Sequence, residues 1–161
     1  MHKKRYTFET EEFDRLEDLP QKEQDLLKKA SEAREHAYAP YSKFKVGAAV
    51  LLENQEVVIG SNQENASFPS GLCAERVAVF QAGARFPGVA IQSIAIVAAL
   101  EKSSSGNPAA PCGNCRQSIF EYENKQNKPI TMLLMGGNGR VIKCKAIADL
   151  LPLAFGSDFL G

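Results

Sequence analysis

Cys73-Ala74-Glu75-Arg76-Val77-Ala78-Val79-Phe80-Gln81-Ala82-Gly83, followed after Pro87-Gly88 by Ile91 to Leu100, is the stretch on which the fold turns. Ala74, Ala78 and Ala82 fall at i, i+4 and i+8 with Val77 beside them, which is the spacing of a buried helical face. Small residues on that face let a helix approach a sheet closely. Gly83 and Pro87-Gly88 close the helix. Ile91 to Leu100 then reads as a continuous apolar strand, central in its sheet because both faces must be covered.

Outward from this unit the chain supplies the remaining layers. Towards the N-terminus, Pro20 opens a helix in which Leu26, Ala30, Ala33 and Ala37 recur at helical spacing, and Pro40 ends it. Val46 to Leu52 and Gln55 to Ile59, separated by Glu53-Asn54, read as a hairpin. A loop rich in Asn, Ser and Pro spans Ser61 to Gly71. Towards the C-terminus, a Ser/Gly/Asn/Pro loop at 102–110 leads to a third helix from Pro111 through Tyr122. Ile130 to Met135 and Arg140 to Lys145 are strands joined by Gly136-Gly137-Asn138-Gly139, and a short helix covers Ile147 to Leu151. The order predicts an α/β fold of three layers, α/β/α, around a mixed five-stranded sheet. Residues 1–19, charged and mixed in sign, read as an N-terminal arm outside the core, with residues 20–161 forming one domain.

Composition narrows the partners. With 19 basic and 19 acidic residues the formal net charge is zero, so the chain has no electrostatic footprint for a phosphate backbone, and a nucleic acid polymer is not its expected partner. The longest apolar run, Ile94 to Leu100, is far too short to span a bilayer. His2-Lys3-Lys4-Arg5 is not followed by the apolar segment of a secretory signal. The expectation is a cytoplasmic protein without a membrane partner.

The cysteines carry the chemistry. Cys73 and Glu75 are joined 36 residues later by Pro111-Cys112-Gly113-Asn114-Cys115. Three thiolates with no obvious fourth ligand describe a zinc site that leaves a position open for water, whereas a structural site closes its tetrahedron with protein. Two disulfides suit a secreted scaffold, to which nothing else points. Cys144 lies in an alternating stretch and reads as a small buried hydrophobe. Both clusters fall where a loop becomes a helix, and a helix N-terminus favours thiolate over thiol. Arg76 and Arg116 are both placed to offset the excess negative charge of three sulfurs, and residue chemistry does not choose between them. Glu75 could be a helix-terminus acid; beside an open metal position it becomes a proton carrier for an activated water.

From Tyr38 to Phe155 the chain resembles the small homotetrameric cytidine deaminases of nucleoside salvage. The resemblance runs through Tyr38-Ala39-Pro40-Tyr41-Ser42-Lys43-Phe44, Val46-Gly47-Ala48-Ala49, Asn62-Gln63-Glu64-Asn65-Ala66, Cys73-Ala74-Glu75-Arg76, Pro111-Cys112-Gly113-Asn114-Cys115-Arg116-Gln117, Leu150-Leu151-Pro152 and Phe155. The cysteine and glutamate signature is common to zinc nucleobase deaminases, with C-x-E here in place of H-x-E. The segments around Phe44 and Asn62 are more specific to enzymes of free nucleosides.

The resemblance implies an α/β/α fold, a zinc ion (Zn2+) on Cys73, Cys112 and Cys115, and Glu75 as proton shuttle. It implies hydrolytic deamination of cytidine and deoxycytidine to uridine and deoxyuridine with release of ammonia. Asn62 and Glu64 would bind the ribose 3′-hydroxyl, Phe44 would pack on the pyrimidine, and backbone groups at Ala74 would read its exocyclic edge. Arg76, rather than Arg116, would contact the sulfurs, and Phe155 would reach a neighbouring subunit's site in a homotetramer. Three positions depart from the pattern: Phe68 stands where many relatives carry tyrosine, Val77 where threonine is usual, and the arm before Pro20 is longer than in the shortest relatives. A structural zinc module would need a fourth ligand, and neither His2 nor His36 lies near a cysteine cluster.

Overall fold

The structure, a computed structural model, describes residues 1–100 and 106–160. Of the loop read at 102–110, residues 102–105 lie outside the described residues. Six strands, β1 (Thr10–Phe13), β2 (Phe44–Leu52), β3 (Val57–Ser61), β4 (Ile91–Leu100), β5 (Thr131–Gly136) and β6 (Val141–Cys144), form one sheet in the order β1-β6-β5-β4-β2-β3. Only β4 and β5 run parallel; the other pairings are antiparallel. The expected mixed sheet with a central β4 is present, but it has six strands rather than five.

The sixth strand comes from the arm. Thr10–Phe13 pairs with β6, Glu12 opposite Ile142 and Glu11 opposite Lys143. Arg140 reaches Glu12 at 3.4 Å and Asp14 at 3.6 Å, while Lys143 lies 3.9 Å from Glu11. An acidic strand is thus matched to a basic one. Leu19 behind it is buried, and Phe13 and Leu16 pack on the same cluster.

Alternation along β2 builds the two apolar layers. Ala48, Val50 and Leu52 face one cluster with Ile94 and Ile96, against α2 (Ala74–Arg85) and α3 (Gly113–Gln126). Ala49 and Leu51 face the other with Ala95 and Val97, against Leu26, Leu27 and Ala30 of α1 (Gln21–Glu35). A strand with period two, buried on both sides, gives this three-layer arrangement directly. Helix limits differ from expectation, and α3 runs from Gly113 to Gln126 where Pro111 through Tyr122 was expected. The first helix ends at Glu35 rather than near Pro40, because Tyr38 turns out to bridge to Gln63. The second runs through Gly83 to Arg85, and Gly83 serves packing: a Cβ there would sit 2.6 Å from the Tyr122 hydroxyl.

Gly60 sets the height of α2 above the sheet. A Cβ at Gly60 would lie 2.6 Å from Ala78 N and 2.7 Å from Ala74 O, both rigid backbone atoms. Gly60→Ala is therefore expected to cost about 1–3 kcal/mol in urea unfolding, as overpacking does. It should also weaken metal retention, because Cys73 is fixed to the N-terminus of the displaced helix. Parental stability in the variant would show that the two layers have room to spare.

Candidate active site

Two helix N-termini converge on the sulfurs. Cys73 caps α2 and Cys112 caps α3, each with an extended backbone, and Cys115 sits in the first turn of α3, fully buried. The Cys112 Sγ accepts the Cys115 N–H at 3.5 Å. Cys73 Sγ and Cys112 Sγ are 3.9 Å apart, and all three sulfurs lie within 4.8 Å of one another. Tetrahedral zinc with bonds of about 2.3 Å sets sulfurs roughly 3.8 Å apart, a spacing that Cys73 and Cys112 meet at 3.9 Å. Among the described residues it contains three ligands and no fourth His, Asp or Glu. Cys144 lies apart from the group, in β6 among the apolar cluster under α3.

The charges around the sulfurs are arranged to suit them. A hydrogen bond from the Cys115 thiol draws the Cys73 thiol down to about 5, while that shared proton, together with burial, pushes Cys115 up. The Arg76 guanidinium loses water by burial, yet the nearby sulfurs of Cys73 and Cys115 raise it. Arg116 is committed elsewhere: its Nε donates to Pro111 O and its terminal nitrogen to Leu150 O, both at 2.8 Å. Glu75, only 5% exposed, is held up by burial, with the negative charge of Cys73 adding to the effect.

A cavity of about 540 Å³ opens in front of Cys73 and Arg76. Tyr41, Ser42, Asn62, Glu64, Phe68 and Leu72 also line it. Asn62 is nearly buried, and its amide behaves like one more strand residue: Oδ1 accepts the Val46 N–H and Nδ2 donates to Phe44 O, both at 2.9 Å. One N–H and one lone pair remain for a ligand. Glu64 accepts the N–H groups of Tyr41 and Ser42 and the Ser42 hydroxyl, and the hydroxyl bond is the chief reason its carboxyl is pulled down. Phe68 is 75% exposed and meets Tyr41 edge-on, with ring centroids 6.0 Å apart.

The remaining sequence-derived residues are not all drawn into the cavity. Phe44 heads β2 without lining the cavity, and Ala74 is the buried first residue of α2. Phe155 lies away from its own chain's cavity, stacked on Phe159 with centroids 5.5 Å apart, its carbonyl accepting Gln117 Nε2 at 2.8 Å. Sequence reading also passed over Glu123. Its buried carboxylate accepts the N–H groups of Ile130, Ile147 and Ala148 at 2.7, 2.9 and 3.1 Å, fixing the far end of the helix that carries Cys112 and Cys115. The signal was an acid in register with Cys115 and Ile119, at the third place of a buried i, i+4, i+8 stripe.

Comparison with known proteins gives this arrangement a context. Residues 20–128 match the family model of the cytidine and deoxycytidylate deaminase zinc-binding region. A cytidine deaminase of Sporosarcina psychrophila is 39% identical over 138 residues, 84% of this chain and 92% of that protein. This chain belongs to the cytidine deaminase family. Another member, from Halalkalibacterium halodurans, is 40% identical over 135 residues, covering 82% of this chain and 92% of its own length. The crystal structure of cytidine deaminase from Burkholderia pseudomallei, 41% identical, superposes with a TM-score of 0.71 over 81% of this chain and 97% of that one. The family is one of zinc-dependent hydrolases, and Cys73, Cys112 and Cys115 form the group that can hold the ion here. No helix among the described residues is long and apolar enough to cross a membrane.

Proposed function

We propose that this chain hydrolyses cytidine and deoxycytidine to uridine and deoxyuridine, releasing ammonia, in pyrimidine salvage. The observation that carries this reading is a buried carboxylate, Glu75, in the first turn of the helix capped by Cys73, which is one of three clustered sulfurs and lines the same cavity as the hydrogen-bonded carboxylate of Glu64. Zinc held by Cys73, Cys112 and Cys115 would supply Lewis-acid activation of water at neutral pH. Arg76 offsets the negative charge of the sulfurs. Glu75 takes one proton from the attacking water and delivers it to the ring nitrogen, then takes the second from the hydroxyl added to the ring carbon and passes it to the departing amine. Burial keeps water from competing for that carboxylate. Asn62 and Glu64 bind the sugar hydroxyl, Phe44 packs on the base, and the backbone at Ala74 receives its exocyclic edge.

Residues 20–161 form the catalytic domain in this reading, with residues 1–19 an arm that covers the edge of β6. All four cysteines are free, as the reducing cytoplasm would keep them. An ultraviolet assay against cytosine, cytidine, deoxycytidine and deoxycytidine monophosphate tests the function. Turnover is expected for the two nucleosides and not for free cytosine, which lacks the sugar that Asn62 and Glu64 hold. Efficient turnover of cytosine, or none of cytidine, sinks the assignment.

The active form is a homotetramer with shared sites. Phe155 is 57% exposed, and Leu153, Phe159 and Leu160 are more so, an apolar tail that the described residues leave largely uncovered. Phe155 serves a neighbour's cleft. Co-expression of Glu75→Gln with Phe155→Ala chains should therefore give more activity than the two variants measured separately, because some mixed sites combine an intact Glu75 with an intact Phe155. Absence of rescue, or a fully active monomer by sedimentation, would exclude the shared site.

A further inference from the structure

Ser42 has no part in the chemistry above, yet its hydroxyl is bound on two sides. It accepts the Phe44 N–H at 3.0 Å and donates to Glu64 Oε1. A serine hydroxyl has one proton, so the direction of this chain is fixed, running from Phe44 N–H through Ser42 to Glu64. Oε2 of the same carboxylate accepts the N–H groups of Tyr41 at 3.0 Å and Ser42 at 3.3 Å. Both lone pairs of Oε2 are used, and Oε1 keeps one. That lone pair sits on the oxygen Ser42 holds, in a residue that lines the cleft.

The turn and the carboxylate hold each other. Lys43 adopts a positive φ of 56°, a conformation that persists only where neighbouring contacts impose it. The three donors to Glu64 all come from Tyr41 and Ser42, the two residues before Lys43. Without them Glu64 would be a hydrated side chain free to rotate, and a ligand would have to order it on binding. Hydrogen bonds to an ionised acceptor are the stronger class, so three of them define one orientation well.

We propose that Ser42 is a positioning residue for the substrate: it fixes Glu64 Oε1 as a single pre-oriented acceptor for one sugar hydroxyl and ties that acceptor to Phe44 at the start of β2. The inference rests on the reading that this cleft binds the ribose of cytidine. The acceptor takes only a donating group, so a nucleoside lacking the hydroxyl leaves Oε1 without its last partner.

The test compares cytidine with 3′-deoxycytidine in the unaltered enzyme, Ser42→Ala and Ser42→Thr. The unaltered enzyme should favour cytidine in kcat/KM by about 10² or more, as sites built around a substrate hydroxyl do. Ser42→Ala should raise KM for cytidine roughly 10-fold with kcat within about 3-fold, the scale of one charge-assisted hydrogen bond. Its preference for cytidine over 3′-deoxycytidine should fall by a similar factor. Ser42→Thr, which keeps the hydroxyl, should restore both. A role confined to folding would lower Tm and affect the two nucleosides equally, so an unchanged preference in Ser42→Ala overturns the proposal whatever happens to KM. No turnover of cytidine by the unaltered protein, or equal turnover of the two nucleosides, would instead remove the ribose reading beneath it.

Discussion

Glu75→Gln is expected to keep the fold and the zinc content while removing turnover by about 10²–10⁴-fold or more. The substitution preserves the shape of a side chain that is 5% exposed, so no cavity is made and packing at the N-terminus of α2 is unchanged. What it removes is the ability to accept and release protons. A positioned acid/base contributes that factor for one transfer, and in the proposed reaction one carboxylate serves several. The position gives the glutamate few competitors: among the described residues, no other carboxylate or histidine joins the three sulfurs. Metal analysis and thermal melting on the same sample separate the outcomes. Lost activity with zinc retained supports a proton carrier. Lost zinc would make Glu75 a ligand, and near-normal activity would reduce it to an acid that merely decorates a helix terminus.

How far the sequence revealed this molecule depends on the range of the signal. Local periodicity located α2, because alanines at four-residue spacing leave few other structures open. It located β4, whose apolar run requires cover on both faces. The strand at Thr10–Phe13 was not visible, since Thr-Glu-Glu-Phe has little of the composition of a strand. It pairs because Arg140 and Lys143, some 130 residues away, present charges that match it. Gly83 read as a terminator because glycine often ends helices; the reason for it is Tyr122 on another helix. The same division holds in the site. The three-cysteine group was legible because metal chemistry restricts which residues can serve. The support for Glu64 by Ser42 and the fixing of α3 by Glu123 were not, because serine in a turn and glutamate in a helix are ordinary until their partners are known.

The metal site itself makes the other large prediction. Cys115→Ala should reduce zinc content from one per chain to a small fraction and remove activity with it. Loss of an outer partner that merely orients a metal ligand costs about 10–100-fold in affinity or activity, and loss of a direct ligand should cost more. Cys115 is the buried member of the three, in the first turn of α3, and no fourth cysteine can take its place. Cys144→Ala is the matching control. That thiol is equally buried and also free, but it lies in β6 within the apolar cluster and outside the sulfur group. Its removal should leave zinc at one per chain, lowering Tm by no more than a small cavity would. Metal content measured on both variants, together with their melting curves, gives a readout that does not depend on turnover. If Cys144→Ala loses zinc and Cys115→Ala keeps it, the three-sulfur site is wrongly assigned. If both keep it, the ion is held elsewhere, and the convergence of two helix N-termini on Cys73, Cys112 and Cys115 serves packing alone.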